Sequence, residues 1–173
     1  MKPDLSTTYL GLTLRTPLVA SPGPLTGRVE SLLQLAEAGV SAVVLPSLFA
    51  EVVAEAPMAL SHKLDAPQGS FAAATTESGF FADLDIPDLG PGVHLDLLVD
   101  AKAALDIPVI ASVNARSPGG WVRYARMLAD AGADAIELNL YDVVTDPDED
   151  SLSVEDRLCD AVRAVRADLA VPL

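Results

Sequence analysis

One cysteine, two histidines, one tryptophan and a 5% share of aromatic residues leave this 173-residue chain little material for several kinds of chemistry. With Cys159 alone, neither an internal disulfide nor a multi-cysteine zinc site can form, and such usage fits a reducing compartment. His62 and His94 are too few and too isolated to suggest a metal site, so none is expected; each reads as an ordinary loop or helix residue. Positive charge is scarce as well. Eleven Lys and Arg stand against 25 Asp and Glu, a formal net charge of −14 whose field repels nucleic acid and anionic membrane alike, and which serves solubility. No apolar run approaches the roughly 20 residues needed to cross a bilayer. Met1-Lys2-Pro3-Asp4 opens without the apolar core of a signal peptide, so the expectation is a cytoplasmic protein with a small-molecule substrate, and with no nucleic-acid or membrane partner.

What the chain does have is apolar residues, 50% of the total at a mean hydropathy of +0.34, and a repeated phrase in which they are set. Thr16-Pro17-Leu18-Val19-Ala20-Ser21 returns as Ile107-Pro108-Val109-Ile110-Ala111-Ser112-Val113-Asn114 and begins again at Val171-Pro172-Leu173. Each is a proline followed by a short unbroken apolar run, the pattern of a strand covered on both faces, with the proline where the ladder does not yet need its N–H. A helical stretch follows each of the first two, then a second strand: Ala38-Gly39-Val40-Ser41-Ala42-Val43-Val44-Leu45, and Ala131-Gly132-Ala133-Asp134-Ala135-Ile136-Glu137-Leu138-Asn139. Repeated βα units imply parallel strands with right-handed crossovers, hence a doubly wound sheet or a (β/α) barrel. We read it as a (β/α)8 TIM barrel, of which this chain supplies about the first four βα units.

The remaining elements follow by position. Thr7 to Leu14, alternating around Leu10-Gly11, predicts a β-hairpin that would plug the barrel's bottom. Helices are expected from Arg28 to Ala38, from about Val93 to Leu105, from Pro118 to Ala131 behind a Ser117 cap, and along Val154, Leu158, Val162 and Val165. Residues 46–92 break into short pieces with several prolines and glycines, and such a long connection reads as an inserted lid or substrate loop. Four units and the opening of a fifth strand fall short of the eight a barrel needs. The chain therefore reads as the N-terminal half of something longer, or as a freestanding half barrel that pairs with a second copy to cover its strand edges.

Polar side chains at the C-terminal ends of buried strands are the functional candidates in such a fold, because they enter the mouth from a rigid backbone. Ser21, Ser47, Asn114 and Asn139 hold those places on strands one to four. An amide that both donates and accepts suits the edge of a heteroaromatic ring such as a flavin or pyrimidine; the plainer reading is that each Asn caps its own loop. Glu137, two residues before Asn139, shares its face and would need a partner, which a basic residue on a neighbouring strand, held by the missing half of the barrel, could supply.

Taken together, Ala20-Ser21 with Gly23-Pro24, Ala111-Ser112 with Asn114, Gly119-Gly120-Trp121, Ala131-Gly132-Ala133-Asp134 and Glu137-Leu138-Asn139-Leu140 resemble the FMN-dependent dihydroorotate dehydrogenase family, in particular its divergent dihydroorotate dehydrogenase-like branch. The resemblance implies a (β/α)8 barrel that binds FMN at its mouth and oxidises a CH–CH group, dihydroorotate to orotate in pyrimidine biosynthesis. It also implies that Ala20, Ser21, Ser47, Asn114 and Asn139 line the flavin. Pro46 stands where better-known members carry a Lys, and Asp142 stands at the position of their Cys or Ser base, so Asp142 is the implied catalytic residue. A different expectation is that the 173 residues form a catalytically incompetent half barrel, acting only as a fragment or assembly partner. A third is an unrelated phosphate-binding barrel, with Ser117-Pro118-Gly119-Gly120 as a helix N-terminal anion site.

Overall fold

A computed structural model of the chain describes residues 3–49, 91–114, 118–140 and 144–173. Strands β1 (Thr7–Tyr9) and β2 (Leu12–Leu14) form the expected hairpin. Its turn residues Leu10 and Gly11 both have positive φ, 52° and 75°, the two-residue geometry whose twist matches that of the flanking strands. Strands β3 (Val19–Ala20), β4 (Ala42–Val44), β5 (Leu48–Phe49), β6 (Val109–Asn114) and β7 (Ala135–Asn139) make one parallel sheet. A short 3-10 turn (Pro24–Thr26) precedes helix α1 (Val29–Glu37), and α2 (Pro91–Ala104), α3 (Pro118–Asp130) and α4 (Ser151–Ala167) complete the described elements.

The sheet is four strands wide, and its order follows the chain. β3 pairs with β4, β4 with β6 and β6 with β7, while β5 takes the same edge of β6 two residues beyond β4. Alternation along the strands sorts side chains into two populations. Val43, Val109, Ala111, Val113 and Ile136 face the helices, where Leu32, Leu98, Ala125, Leu128 and Val165 close over them in one continuous core. In α2 the buried residues His94, Leu97, Leu98 and Ala101 keep a spacing of three to four, as do Trp121, Tyr124, Ala125 and Leu128 in α3, so each helix lays one stripe on the sheet. Ala42, Val44, Ile110 and Ala135 face the other way, and Leu14 of the hairpin covers them with Leu10 and Leu12 beside it. All four described helices thus pack on one side. The opposite side is plugged at its lower end by the hairpin, as the alternating sequence predicts.

Polar ties hold the strand entries. Thr16 N–H donates to Ser41 Oγ at 2.8 Å and Thr16 Oγ1 donates to the Gly39 carbonyl at 3.1 Å, joining the hairpin exit to the turn before β4. Asp134, just before β7, accepts from Lys102 Nζ at 2.8 and 2.7 Å and from Val109 N–H at 2.7 Å. The repeated proline phrase places equivalent carbonyls: Val43 N–H donates to Pro108 at 3.1 Å, and Ile136 N–H donates to Pro172 at 2.9 Å. Residues 171–173 therefore begin to pair with β7, although they form no strand of their own.

One expectation changes. The long connection does not begin at Pro46, because Leu48 and Phe49 are still sheet; its residues 50–90 lie outside the described residues. The reason is a bulge. Val44 lies opposite Ile110 and Leu48 opposite Val113, so three residues, 45 to 47, span the same length as two on β6. Among the described residues no helix is long and apolar enough to cross a membrane.

Candidate functional site

The face opposite the described helices changes character along the strands. Its first layer is the apolar set Val44, Ile110 and Ala135; the next is polar. Ser47 Oγ lies 2.7 Å from Ser112 Oγ, and Ser112 Oγ donates to Glu137 Oε1 at 2.7 Å, a hydrogen-bonded row across three strands. Register explains the row. Ser112 lies opposite Glu137, and the bulge at Pro46 lets Ser47 return to the face that Val44 left. Ser112 is fully buried, whereas Ser47 and Glu137 are half-buried.

One layer higher, Asn114 and Asn139 are register partners on neighbouring strands, so their Cα atoms stand roughly 5 Å apart. Asn114 is half-buried and Asn139 is exposed. The structure thus brings together two residues 25 positions apart in sequence at the C-terminal ends of parallel strands, where the fold class concentrates ligands. Ser21 follows β3 on the same side and lines a concavity of about 840 Å3, together with Val19, Val44, Ile110 and Glu137. The concavity is bounded below by Tyr9 and Leu10 of the hairpin and continues around the edge of β7 to Val162 and Arg166. The loop after β3 is held by Thr26, buried, whose Oγ1 accepts from Gly23 N–H and donates to the Gly23 carbonyl, both at 3.1 Å.

Three sequence expectations need revision or stand aside. Ala20 packs into the helix-side core, because its partner Val43 is a helix-facing residue; Val19 of β3 and Ser21 just after it reach the concavity. Among the described residues the partner of Glu137 is Ser112, an uncharged donor on the adjacent strand. Asp142, the implied catalytic residue, lies outside the described residues. Ser112 enters the sequence resemblance beside Ala111 without a role of its own: two positions before Asn114 in an unbroken strand, it had to share the asparagine's face.

The donors and acceptors on this face suit the ring of a flavin better than its phosphate. Hydroxyls, a carboxylate and two primary amides offer acceptors and donors at close spacing, as a ring edge with N–H and C=O groups requires. Arg166 is the sole basic side chain among the described residues lining the concavity, and its Nη1 donates to the Leu169 carbonyl at 3.0 Å and to Val171 at 3.4 Å. No protein-family model and no curated protein matches the chain.

Proposed function

We propose that the chain carries the ring-binding part of a flavin-dependent oxidoreductase of the dihydroorotate dehydrogenase-like kind, on four βα units of a (β/α)8 barrel. The observation that supports this reading best is the pairing of Asn114 with Asn139 directly above the Ser47–Ser112–Glu137 row. Parallel strands in chain order, with all the described helices on one side, favour barrel units over a doubly wound sheet, which needs helices on both faces.

In this reading Ser21, Ser47, Asn114 and Asn139 hold the FMN ring, and the apolar layer of Val44 and Ile110 forms its dry floor. Bound FMN would supply a two-electron acceptor for oxidation of a CH–CH group, with dihydroorotate as the proposed substrate. The residues of this chain bind and orient. Asn114 and Asn139 offer amides that recognise ring carbonyls and N–H groups without adding charge. The hairpin seals the lower end of the face against water, which strengthens polar contacts made above it.

Among the described strands β7 pairs with β6 alone, which favours one further reading, an assembly partner whose mouth is completed by a complementary half. One experiment addresses both. The purified chain is incubated with FMN and desalted, and its visible spectrum and solution mass are recorded together. Oxidised-flavin bands retained on a monomer or dimer support the proposal; a colourless product that gains flavin only with an added C-terminal barrel half supports the assembly reading. A product colourless in both settings removes FMN from the proposal.

A further inference from the structure

We infer that Ser112 and Glu137 are positioning residues that lock Ser47 as a hydrogen-bond acceptor toward the mouth, so that the site selects a cyclic lactam or imide edge, –NH–C(=O)–. The argument is proton counting. A carboxylate oxygen only accepts, so the 2.7 Å contact between Ser112 and Glu137 uses the single hydroxyl proton of Ser112. The Ser47–Ser112 contact, also 2.7 Å, still needs one proton, and Ser47 must supply it. Ser112 is fully buried, so it has no solvent alternative through which to reverse the order. Ser47 is then left with lone pairs alone on its open side. A ligand carbonyl placed there meets another acceptor, whereas a ring N–H is satisfied.

Asn114 completes the reading. It lies on the neighbouring strand two residues above Ser112, on the same face, and its amide NH2 can donate to the carbonyl beside that N–H. The chemistry recognised is shared by the pyrimidine ring of a flavin and by a free pyrimidine. The inference rests on the ring-binding reading of this mouth, but not on the ring being a flavin.

The test uses two pairs of probes, lumiflavin with 3-methyllumiflavin and uracil with 1,3-dimethyluracil, titrated calorimetrically into the full chain and into Glu137→Gln and Ser47→Ala. The wild type should prefer the N–H member of a pair by about tenfold, the scale of one satisfied against one unsatisfied hydrogen bond. In Glu137→Gln the amide can face Ser112 as donor or acceptor, the direction of the row is no longer fixed, and the preference should shrink to roughly threefold or less. Ser47→Ala, at a half-buried position, tests the same point if Glu137→Gln fails to fold. A bland structural role for Glu137 would weaken both members of a pair equally and leave the ratio unchanged.

The outcomes separate the two claims. N–H preference for the uracil pair with no lumiflavin binding supports the inference and overturns the flavin reading. Lumiflavin binding without N–H preference, or with a preference that Glu137→Gln leaves intact, overturns the inference and spares the flavin. Binding of neither ring overturns both.

Discussion

Replacing Asp134 by Ala should destabilise the fold by about 1.5–4 kcal/mol, mainly through a backbone N–H rather than through the ion pair. Asp134 accepts from Lys102 and from Val109 N–H, both through short contacts. The side chains of Lys102 and Asp134 keep 33% and 28% of their exposure, so solvent screening holds the pair to roughly 0.5–1 kcal/mol. Val109 is fully buried at the start of β6. Stripping the acceptor from such an N–H costs about 1–3 kcal/mol, and the two terms together give the stated range. Lys102→Met removes only the pair and keeps the alkyl stem, so it should cost no more than about 1 kcal/mol. Asp134→Asn keeps an oxygen for Val109 and should fall near the lysine variant. Urea unfolding followed by circular dichroism ranks the three; in a thermal scan the alanine variant should lose roughly 5–15 °C. Equal losses for Lys102→Met and Asp134→Ala would refute the reasoning, because the ion pair would then carry the whole effect.

Two glycines should respond with opposite sign. Gly39 has φ of +103°, so Gly39→Ala forces strain despite open space around the new methyl and should cost about 1–2 kcal/mol. Gly92 lies in α2 with open space and no such φ, and Gly92→Ala should stabilise by about 0.5–1 kcal/mol; thermal midpoints check both. His94 gives a pH prediction. It is fully buried, both ring nitrogens lack a partner among the described residues, and desolvation lowers its pKa from 6.5 to about 4. Above 6.5 the ring is neutral folded and unfolded, so it adds no pH dependence. Between 6.5 and 4 only the unfolded chain takes the proton, so stability falls as pH falls, by up to about 3 kcal/mol. His94→Leu should flatten that limb of the urea-midpoint curve relative to wild type; an unchanged slope would show that carboxylates alone produce it.

Unbroken apolar runs made the strands legible, and the four runs after Pro17, Gly39, Pro108 and Gly132 are all strands in one parallel sheet, although Leu18 and Val19 in the first are exposed. The hairpin was legible for a related reason: Leu10-Gly11 interrupts strict alternation at the place where two positive φ values are needed. Asn114 and Asn139 were found as strand-end amides, and register then placed them side by side. Ala20 came from the resemblance alone, and a two-residue strand gives no alternation from which to read its face; register puts it on the helix side. For Glu137 charge suggested charge, whereas a buried hydroxyl in register is its partner among the described residues. Both placements depend on strand pairing, that is, on contacts more than twenty residues apart.

Pro46 shows how much one unpaired residue decides. Val44 faces the hairpin, Leu45 the helices, Ser47 the polar row and Leu48 the helices again, so strict alternation resumes if residue 46 is omitted. Proline suits that place because it has no N–H to lose from the ladder. Deleting Pro46 should therefore preserve the inward position of Ser47, whereas deleting any other residue between 42 and 45 should turn every later side chain to the wrong face. Cysteine labelling tests this in a Cys159→Ser background, which removes the exposed native thiol. With Pro46 deleted, a cysteine in place of Ser47 should react and one in place of Leu48, which is 1% exposed, should stay protected. Reactivity at Leu48 with protection at Ser47 would mean that the register slipped, and the extra residue of the bulge would then have to lie elsewhere. A preserved pattern would identify the bulge as the device that sets Ser47 beside Ser112, with the polar row depending on a proline that itself makes no contact in it.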